Sequence, residues 1–326
     1  MGRKALILGV TGQDGSYLSE FLLGKDYDVL GMTRRTSSPE CHRHRLNHIE
    51  GKIEFIYGDV LDFRSLVQAF GKYQPDEIYN LAGQSHVRIS FDMPIHTAEV
   101  NGIGALNVLE AARLVCPQAR IYQASSSEMF GNSVDADGYQ RESTPMIPVS
   151  PYGCSKLFAH SAFRNYRKAY GMFCSSGILF NHESKRRSIQ FVTGKVVKGA
   201  VEIKLGLREK LELGALDSSR DWGHAADYVR AMHLILNHNE PDDFVVSTGV
   251  SHSVMDLCEY SFGALGLDYR DYVVHENREL RPEELVFLKG DSGKARKILN
   301  WKPLVSFESM LDEMIDFWSS RLANKK

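Results

Sequence analysis

Apolar positions in the first half of the chain fall into short runs, separated by longer stretches with helical spacing. Ala5 to Gly9, Tyr27 to Thr33, Ile53 to Tyr57, Glu77 to Leu81, Arg120 to Ala124 and Phe173 to Phe180 read as strands. Runs of this length suit a parallel sheet buried on both faces. Between them, Gln13 to Leu23, Leu61 to Tyr73, Thr97 to Leu114 and Tyr152 to Tyr170 repeat with helical periodicity. The alternation predicts an α/β protein with a Rossmann-type, doubly wound parallel sheet. Such sheets bind nucleotides at the carboxyl ends of their strands.

After about residue 180 the apolar runs shorten and loop-rich segments such as LGLREKLELGALDSSRDWG appear. Residues 1–180 therefore read as the nucleotide-binding domain, and residues 181–326 mainly as a smaller α/β substrate-binding domain. Helical spacing over Ala225 to Leu236 suggests that a segment near 220–250 returns to the first domain. Phe307 to Leu322 reads as one amphipathic helix.

The chain has 326 residues, 43% hydrophobic and 25% charged, with a formal net charge of −2. That balance gives no bulk electrostatic reason to bind nucleic acid or a membrane. No apolar run approaches a membrane span. The N-terminal run is too short for a signal peptide and already belongs to a nucleotide motif. Five cysteines (41, 116, 154, 174 and 258) are odd in number and scattered, which fits reduced thiols in a cytoplasmic protein.

Gly9-Val10-Thr11-Gly12-Gln13-Asp14-Gly15 follows a strand and opens a helix. Glycines let the backbone approach a pyrophosphate, and the helix start offers free N–H groups. Gly9, Thr11, Gly12, Gln13, Asp14 and Gly15 are thus cofactor candidates, with Asp14 read as a helix N-terminal charge. The second strand ends at Arg34-Arg35, where a ribose 2′-phosphate favours arginine; this points to NADP over NAD. Asp59 and Val60 stand where adenine is met, and Leu81, Ala82 and Gly83 where the ribose is approached.

Tyr152 and Lys156 are four apart, on one face of a helix. An ammonium beside a phenol favours phenolate and makes Tyr152 a base near neutral pH. Ser126 and Glu128 end the preceding strand. Tyrosine and lysine suggest hydride chemistry; the added carboxyl group suggests that a proton is also moved. Cys41-His42-Arg43-His44-Arg45 fits no zinc spacing, and no metal is expected.

With these elements in order, the chain resembles the extended short-chain dehydrogenase/reductases. It is most similar to the GDP-mannose 4,6-dehydratase family through GVTGQDGSYL, YNLAGQSHV, GILFNHES, RRSIQFVT, SSRDWGHAADYV and LRPEELVFLKGD. The resemblance implies a lyase that uses NADP to dehydrate a GDP-linked sugar, with Ser126, Glu128, Tyr152 and Lys156 as its catalytic set. It implies substrate contacts at Ser85, Glu128, Asn181, Val192, Lys195, Arg220, Arg281 and Glu284, and further cofactor contacts at Ser85, Tyr152 and Lys156. It also implies a homodimer or homotetramer, with the loop from Thr36 to His48 reaching a neighbour.

Epimerases and reductases of the superfamily usually lack an acid at Glu128, which disfavours that reading. An intact quartet disfavours a silent NADP-binding sensor. Three departures concern the sugar: Lys185 in place of the usual proline, Gly194 in place of an arginine, and a shortened loop before Arg281. These leave room beyond sugar C6 and raise GDP-D-glycero-α-D-manno-heptose as the alternative to GDP-mannose.

Overall fold

The computed structural model describes residues 2–37, 43–275, 283 and 285–323. Strands β1 (Lys4–Leu8), β2 (Asp28–Thr33), β3 (Glu54–Tyr57), β4 (Glu77–Asn80), β5 (Arg120–Ser126) and β6 (Cys174–Leu179) alternate with helices. The helices are α1 (Gln13–Leu23), α2 (Phe63–Tyr73), α3 (Val87–Asp92), α4 (Pro94–Ala98), α5 (Gly104–Val115) and α6 (Pro151–Tyr170). Then follow β7 (Asn181–Glu183), α7 (Val192–Lys204), β8 (Leu211–Leu213), β9 (Ser219–Arg220), β10 (Trp222–His224), α8 (Ala225–Leu236) and β11 (Asp243–Val246). The chain ends with β12 (His252–Ser253), α9 (Val254–Gly263), β13 (Val273–His275), α10 (Gly293–Leu299) and α11 (Phe307–Ala323).

Seven strands form one parallel sheet in the order β11-β6-β5-β4-β1-β2-β3. The order reverses beside β1, and the crevice at that switch point opens at the strands' carboxyl ends. Alternate residues of the central strands feed opposite cores. Ala5, Ile7, Tyr79 and Tyr122 pack under α1 and α8; Leu6, Leu8, Ile78 and Ile121 pack under α2, α5 and α6. This two-sided burial explains the unbroken apolar runs in the sequence.

The six strands anticipated from the sequence all form. The seventh, β11, carries the chain back to the sheet edge after α8 and pairs with β6. A third core joins α7, α9, α11, β8 and Trp222 on the far side of the cleft.

One expected helix differs. Thr97 to Leu114 is broken by a π-helical turn at Glu99–Ile103 between α4 and α5. The turn aims Asn101 at the loop after β4: its Oδ1 accepts from the Gln84 N–H at 2.9 Å. Its Nδ2 donates to the Gln84 carbonyl at 3.0 Å and to Ser155 Oγ at 3.1 Å. A π turn inserts one residue, and helical periodicity does not reveal it.

Candidate active site

A cleft of about 1000 Å³ runs along the carboxyl ends of the sheet and is bounded opposite by β7, α7 and the β9–β10 segment. Of the sequence candidates, Gly9, Thr11, Gly12, Gln13, Asp14, Gly15, Arg34, Asp59, Val60, Leu81, Ala82 and Gly83 line it. So do Ser85, Ser126, Glu128, Tyr152, Lys156, Asn181, Val192, Lys195 and Arg220. Arg35 does not: its guanidinium lies 5.9 Å from the centre of the Tyr57 ring. Arg281 and Glu284 fall outside the described residues, as do Cys41 and His42.

Two glycines of the nucleotide loop are dictated by backbone contact. Gly9 has φ +81°, and a Cβ there would sit 2.9 Å from the Leu81–Ala82 backbone. A Cβ on Gly15 would sit 2.5 Å from the Gly9 carbonyl oxygen and 2.6 Å from Val10 Cα. The Gly12 N–H donates to the Gly9 carbonyl at 3.0 Å, closing the turn that aims the start of α1 into the cleft. Gly83 is held likewise, with Asn101 Oδ1 at 2.9 Å from a would-be Cβ. Free N–H groups at a helix start beside a close-approach loop fit a dinucleotide's pyrophosphate.

Tyr152 and Lys156 lie on the buried face of α6, which is capped by Ser150 accepting from the Gly153 N–H at 3.0 Å. Lys156 Nζ is 5.8 Å from the Tyr152 ring centre and donates to the Ala124 carbonyl at 2.9 Å. Glu128, in the short turn after β5, is 6% exposed. Its N–H donates to Ser126 Oγ at 3.2 Å.

Burial opposes the phenolate expected at Tyr152. Burial raises the Tyr152 phenol to about 12, against the lowering effects of a hydrogen bond from Ser126 and the charge of Arg187. Burial also lowers the Lys156 ammonium to about 8. Desolvation is the largest influence on each of the two groups.

Sequence reading missed several groups that set this site. Asp14 Oδ2 lies 2.8 Å from His182 Nε2, and His182 Nδ1 lies 2.8 Å from the Phe180 carbonyl. His182 stacks on Tyr228, with ring centres 4.5 Å apart. Burial opposes both charges of the pair, yet mutual attraction wins: Asp14 is held below its ordinary value and His182 above. Gln13 Nε2 donates to the His182 carbonyl at 3.0 Å, and Ser184 Oγ donates to Gln13 Oε1 at 2.8 Å. Arg45 Nη1 donates to the Thr11 carbonyl at 3.3 Å.

The β7 segment is thereby bolted to the glycine loop. Arg187 pairs with Glu183 at 2.8 Å, covers the Phe191 ring at 3.6 Å and lines the cleft. The strings FNHES and RRSIQ contained these residues; no spacing rule singled them out.

Two of the three sugar departures prove to point elsewhere. Lys185 forms an ion pair with Glu313 of α11 at 3.2 Å and does not line the cleft. Gly194 is filled by backbone: a Cβ there would sit 2.6 Å from the Ser188 carbonyl oxygen. The third, before Arg281, lies outside the described residues.

Residues 6–314 match the family profile described as GDP-mannose 4,6 dehydratase. The chain belongs to the GDP-mannose 4,6-dehydratase family. GDP-mannose 4,6 dehydratase 2 of Arabidopsis thaliana is 48% identical over 324 residues, covering 96% of this chain and 86% of that one. The human GDP-mannose 4,6 dehydratase is 44% identical over 336 residues, covering 95% and 90%.

The fold of this family member matches solved structures of other nucleotide-sugar enzymes. A Thermus thermophilus UDP-glucose 4-epimerase complexed with NAD gives TM-score 0.84 at 23% identity, covering 97% and 98%. A Bacillus anthracis dTDP-glucose 4,6-dehydratase in complex with NAD gives 0.85 at 21%, covering 99% and 98%. A Streptomyces venezuelae dTDP-glucose 4,6-dehydratase with NAD bound gives 0.85 at 23%, covering 98% of each.

The sequence preference for NADP over NAD is overturned by these neighbours, which carry NAD; one further structure, from Pseudomonas aeruginosa, carries NADPH (TM-score 0.82, 23% identity, coverage 98% and 100%). The physical reason lies at β2. Arg35 leans over Tyr57 rather than into the cleft. An arginine such as Arg34 can also stack on an adenine face, so it does not by itself report a 2′-phosphate.

Proposed function

We infer that this chain is a hydro-lyase that converts GDP-mannose to GDP-4-keto-6-deoxymannose, with a nicotinamide dinucleotide as internal redox partner. Family membership over nearly the whole chain carries the reaction class. The supporting observation within the site is Glu128, a buried carboxyl group on the same cleft wall as Ser126, Tyr152 and Lys156.

The glycine loop, Asp59, Val60 and Leu81 to Gly83 would hold the dinucleotide, and Lys156 its nicotinamide ribose. A nicotinamide held there would supply the redox chemistry, taking hydride from sugar C4 and returning it to C6. Tyr152 takes the 4-hydroxyl proton as C4 is oxidised. The 4-keto group acidifies C5, and Glu128 removes the C5 proton. The same carboxyl gives a proton to the departing C6 hydroxyl, which leaves as water. When C6 is reduced, C5 receives the proton that Tyr152 took from the 4-hydroxyl, so hydride and protons balance. Ser126 hydrogen-bonds the Tyr152 phenol and is placed to hold O4. Asn181, Val192, Lys195 and Arg220 face the nucleotide-sugar end, where cations suit a diphosphate.

Residues 1–180 with the return through β11 are proposed as the cofactor domain, and the remainder of 181–326 as the substrate domain. We read the protein as a homo-oligomer in the cytoplasm. Ile95, Ile103 and Phe158 are 74%, 46% and 48% exposed on the α4–α6 side, an apolar face suited to a second copy. No helix among the described residues is long and apolar enough to cross a membrane.

The test is GDP-mannose carrying deuterium at C4, with catalytic dinucleotide and no added reductant. Deuterium found at C6 of a 4-keto product supports the reading. A product without C6 label, or no product, refutes it.

A further inference from the structure

Arg220 and Asp221 are neighbours that face opposite ways. Arg220 lines the cleft, with its Nη1 donating to the Ser219 carbonyl at 2.9 Å. Asp221 points away and is fully buried. Its Oδ1 accepts from the Thr248 N–H at 2.9 Å and from Thr248 Oγ1 at 2.7 Å. Its Oδ2 accepts from the Gly249 N–H at 2.9 Å and the Gly290 N–H at 3.4 Å.

Three of these donors are backbone groups, and two are consecutive. Gly249 sits at φ +87°, a conformation that presents successive N–H groups to one anion. Gly290 is equally constrained, since a Cβ there would lie 2.5 Å from Ser247 Cβ.

One carboxylate thus joins three chain segments. The loop after β11 belongs to the edge of the main sheet. The 286–290 segment bridges to Ser219 and Gln140. The segment carrying Arg220 pairs with β12 through His252. Asp221 therefore fixes where Arg220 stands relative to the sheet that bears the catalytic quartet, while lying outside the cleft lining.

We propose that Asp221 is the positioning residue for nucleotide-sugar recognition: its carboxylate locks Arg220 at the diphosphate end of the cleft. The inference rests on the reading of Arg220 as a diphosphate contact. Its loss weakens substrate binding and spares the chemistry and the dinucleotide site, because the glycine loop and α6 hang from other strands.

The experiment compares Asp221→Asn, Thr248→Val and Arg220→Ala with the unmodified full chain. GDP affinity is read by calorimetry, dinucleotide affinity by NADH fluorescence, and kcat and KM with GDP-mannose. Asp221→Asn is expected to weaken GDP binding and raise KM about tenfold, the loss of charge-assisted hydrogen bonds. NADH affinity and kcat stay within about threefold. Thr248→Val removes one hydroxyl donor and should give a smaller change of the same kind; it carries the test should Asp221→Asn fail to fold.

GDP affinity unchanged in both variants, while Arg220→Ala loses it, overturns the role of Asp221 alone. GDP affinity unchanged in Arg220→Ala overturns the reading of Arg220 beneath it. Equal losses for GDP and NADH in Asp221→Asn or Thr248→Val mean general structural damage and also overturn the proposal.

Discussion

Asp14 and His182 lie 168 positions apart in the chain and meet at 2.8 Å. Their contact ties the first turn of α1 to β7 and thereby joins the pyrophosphate loop to the strand that carries Asn181. His182→Ala leaves Asp14 partly buried without its partner. Gln13 Nε2 still donates to Asp14 Oδ1 at 3.2 Å, so we expect dinucleotide affinity to fall only about tenfold, or about 1.4 kcal/mol.

The pair also imposes a pH signature. Asp14, held low, contributes stability that is present above its ordinary 3.8 and lost as pH falls through its folded value. His182, held high, contributes stability that is present below its ordinary 6.5 and lost as pH rises through its folded value. The stability gap between the native chain and His182→Ala should therefore peak between those two ordinary values. A gap that fails to shrink both well below pH 3.8 and well above pH 6.5, followed by thermal unfolding, would contradict it.

Lys156 sets catalysis against stability. Burial lowers its ammonium to about 8 from 10.5, so the unfolded chain binds the proton more tightly between those values. Native stability must rise with pH across that window, and below it the buried charge is a standing cost. Lys156→Met should abolish turnover yet stabilise the fold by about 1–2 kcal/mol at pH 7, allowing for the orphaned Ala124 carbonyl. The gain should vanish near pH 10.5. Denaturant unfolding at several pH values measures it.

Two glycines should respond in opposite directions to alanine. Gly15→Ala drives a methyl into the Gly9 and Val10 backbone, and neither can move without opening the loop. Dinucleotide binding should drop at least a hundredfold, about 3 kcal/mol. Gly71, inside α2, has its nearest foreign atom at 4.0 Å, so Gly71→Ala should stabilise by about 0.5–1 kcal/mol.

Gly194→Arg tests the reading of the sugar end. The sequence treats Gly194 as a lost charge near the pocket; the fold places the Ser188 carbonyl where a side chain would begin. The variant should lower the melting temperature by several degrees without a selective change in sugar preference. Side-by-side turnover of GDP-mannose and the GDP-heptose reads it out.

The parallel sheet was legible because buried strands such as β1 are short and, after Lys4, continuously apolar. The glycine loop and the Tyr152–Lys156 pair were legible because their chemistry is local in sequence. What escaped was set by distant segments meeting. His182 depends on Asp14, Arg187 on Glu183 and Phe191, and Asn101 on a π turn. The burial of Tyr152 escaped for the same reason: spacing reports a neighbouring lysine but not the desolvation that opposes a phenolate. Cofactor choice failed because Arg34 and Arg35 diverge in space, one to the cleft and one to Tyr57.

The central claim is that Glu128 makes this fold a dehydratase. Glu128→Gln keeps the shape of the side chain and removes its proton transfer. The decisive measurement is the fate of GDP-mannose on this variant with bound dinucleotide, followed by nicotinamide absorbance and by mass of the sugar. Oxidation at C4 should still proceed, so reduced nicotinamide and an undehydrated 4-keto sugar accumulate while water loss slows by about 10²–10⁴-fold. Dehydrated product at the native rate would contradict the assignment.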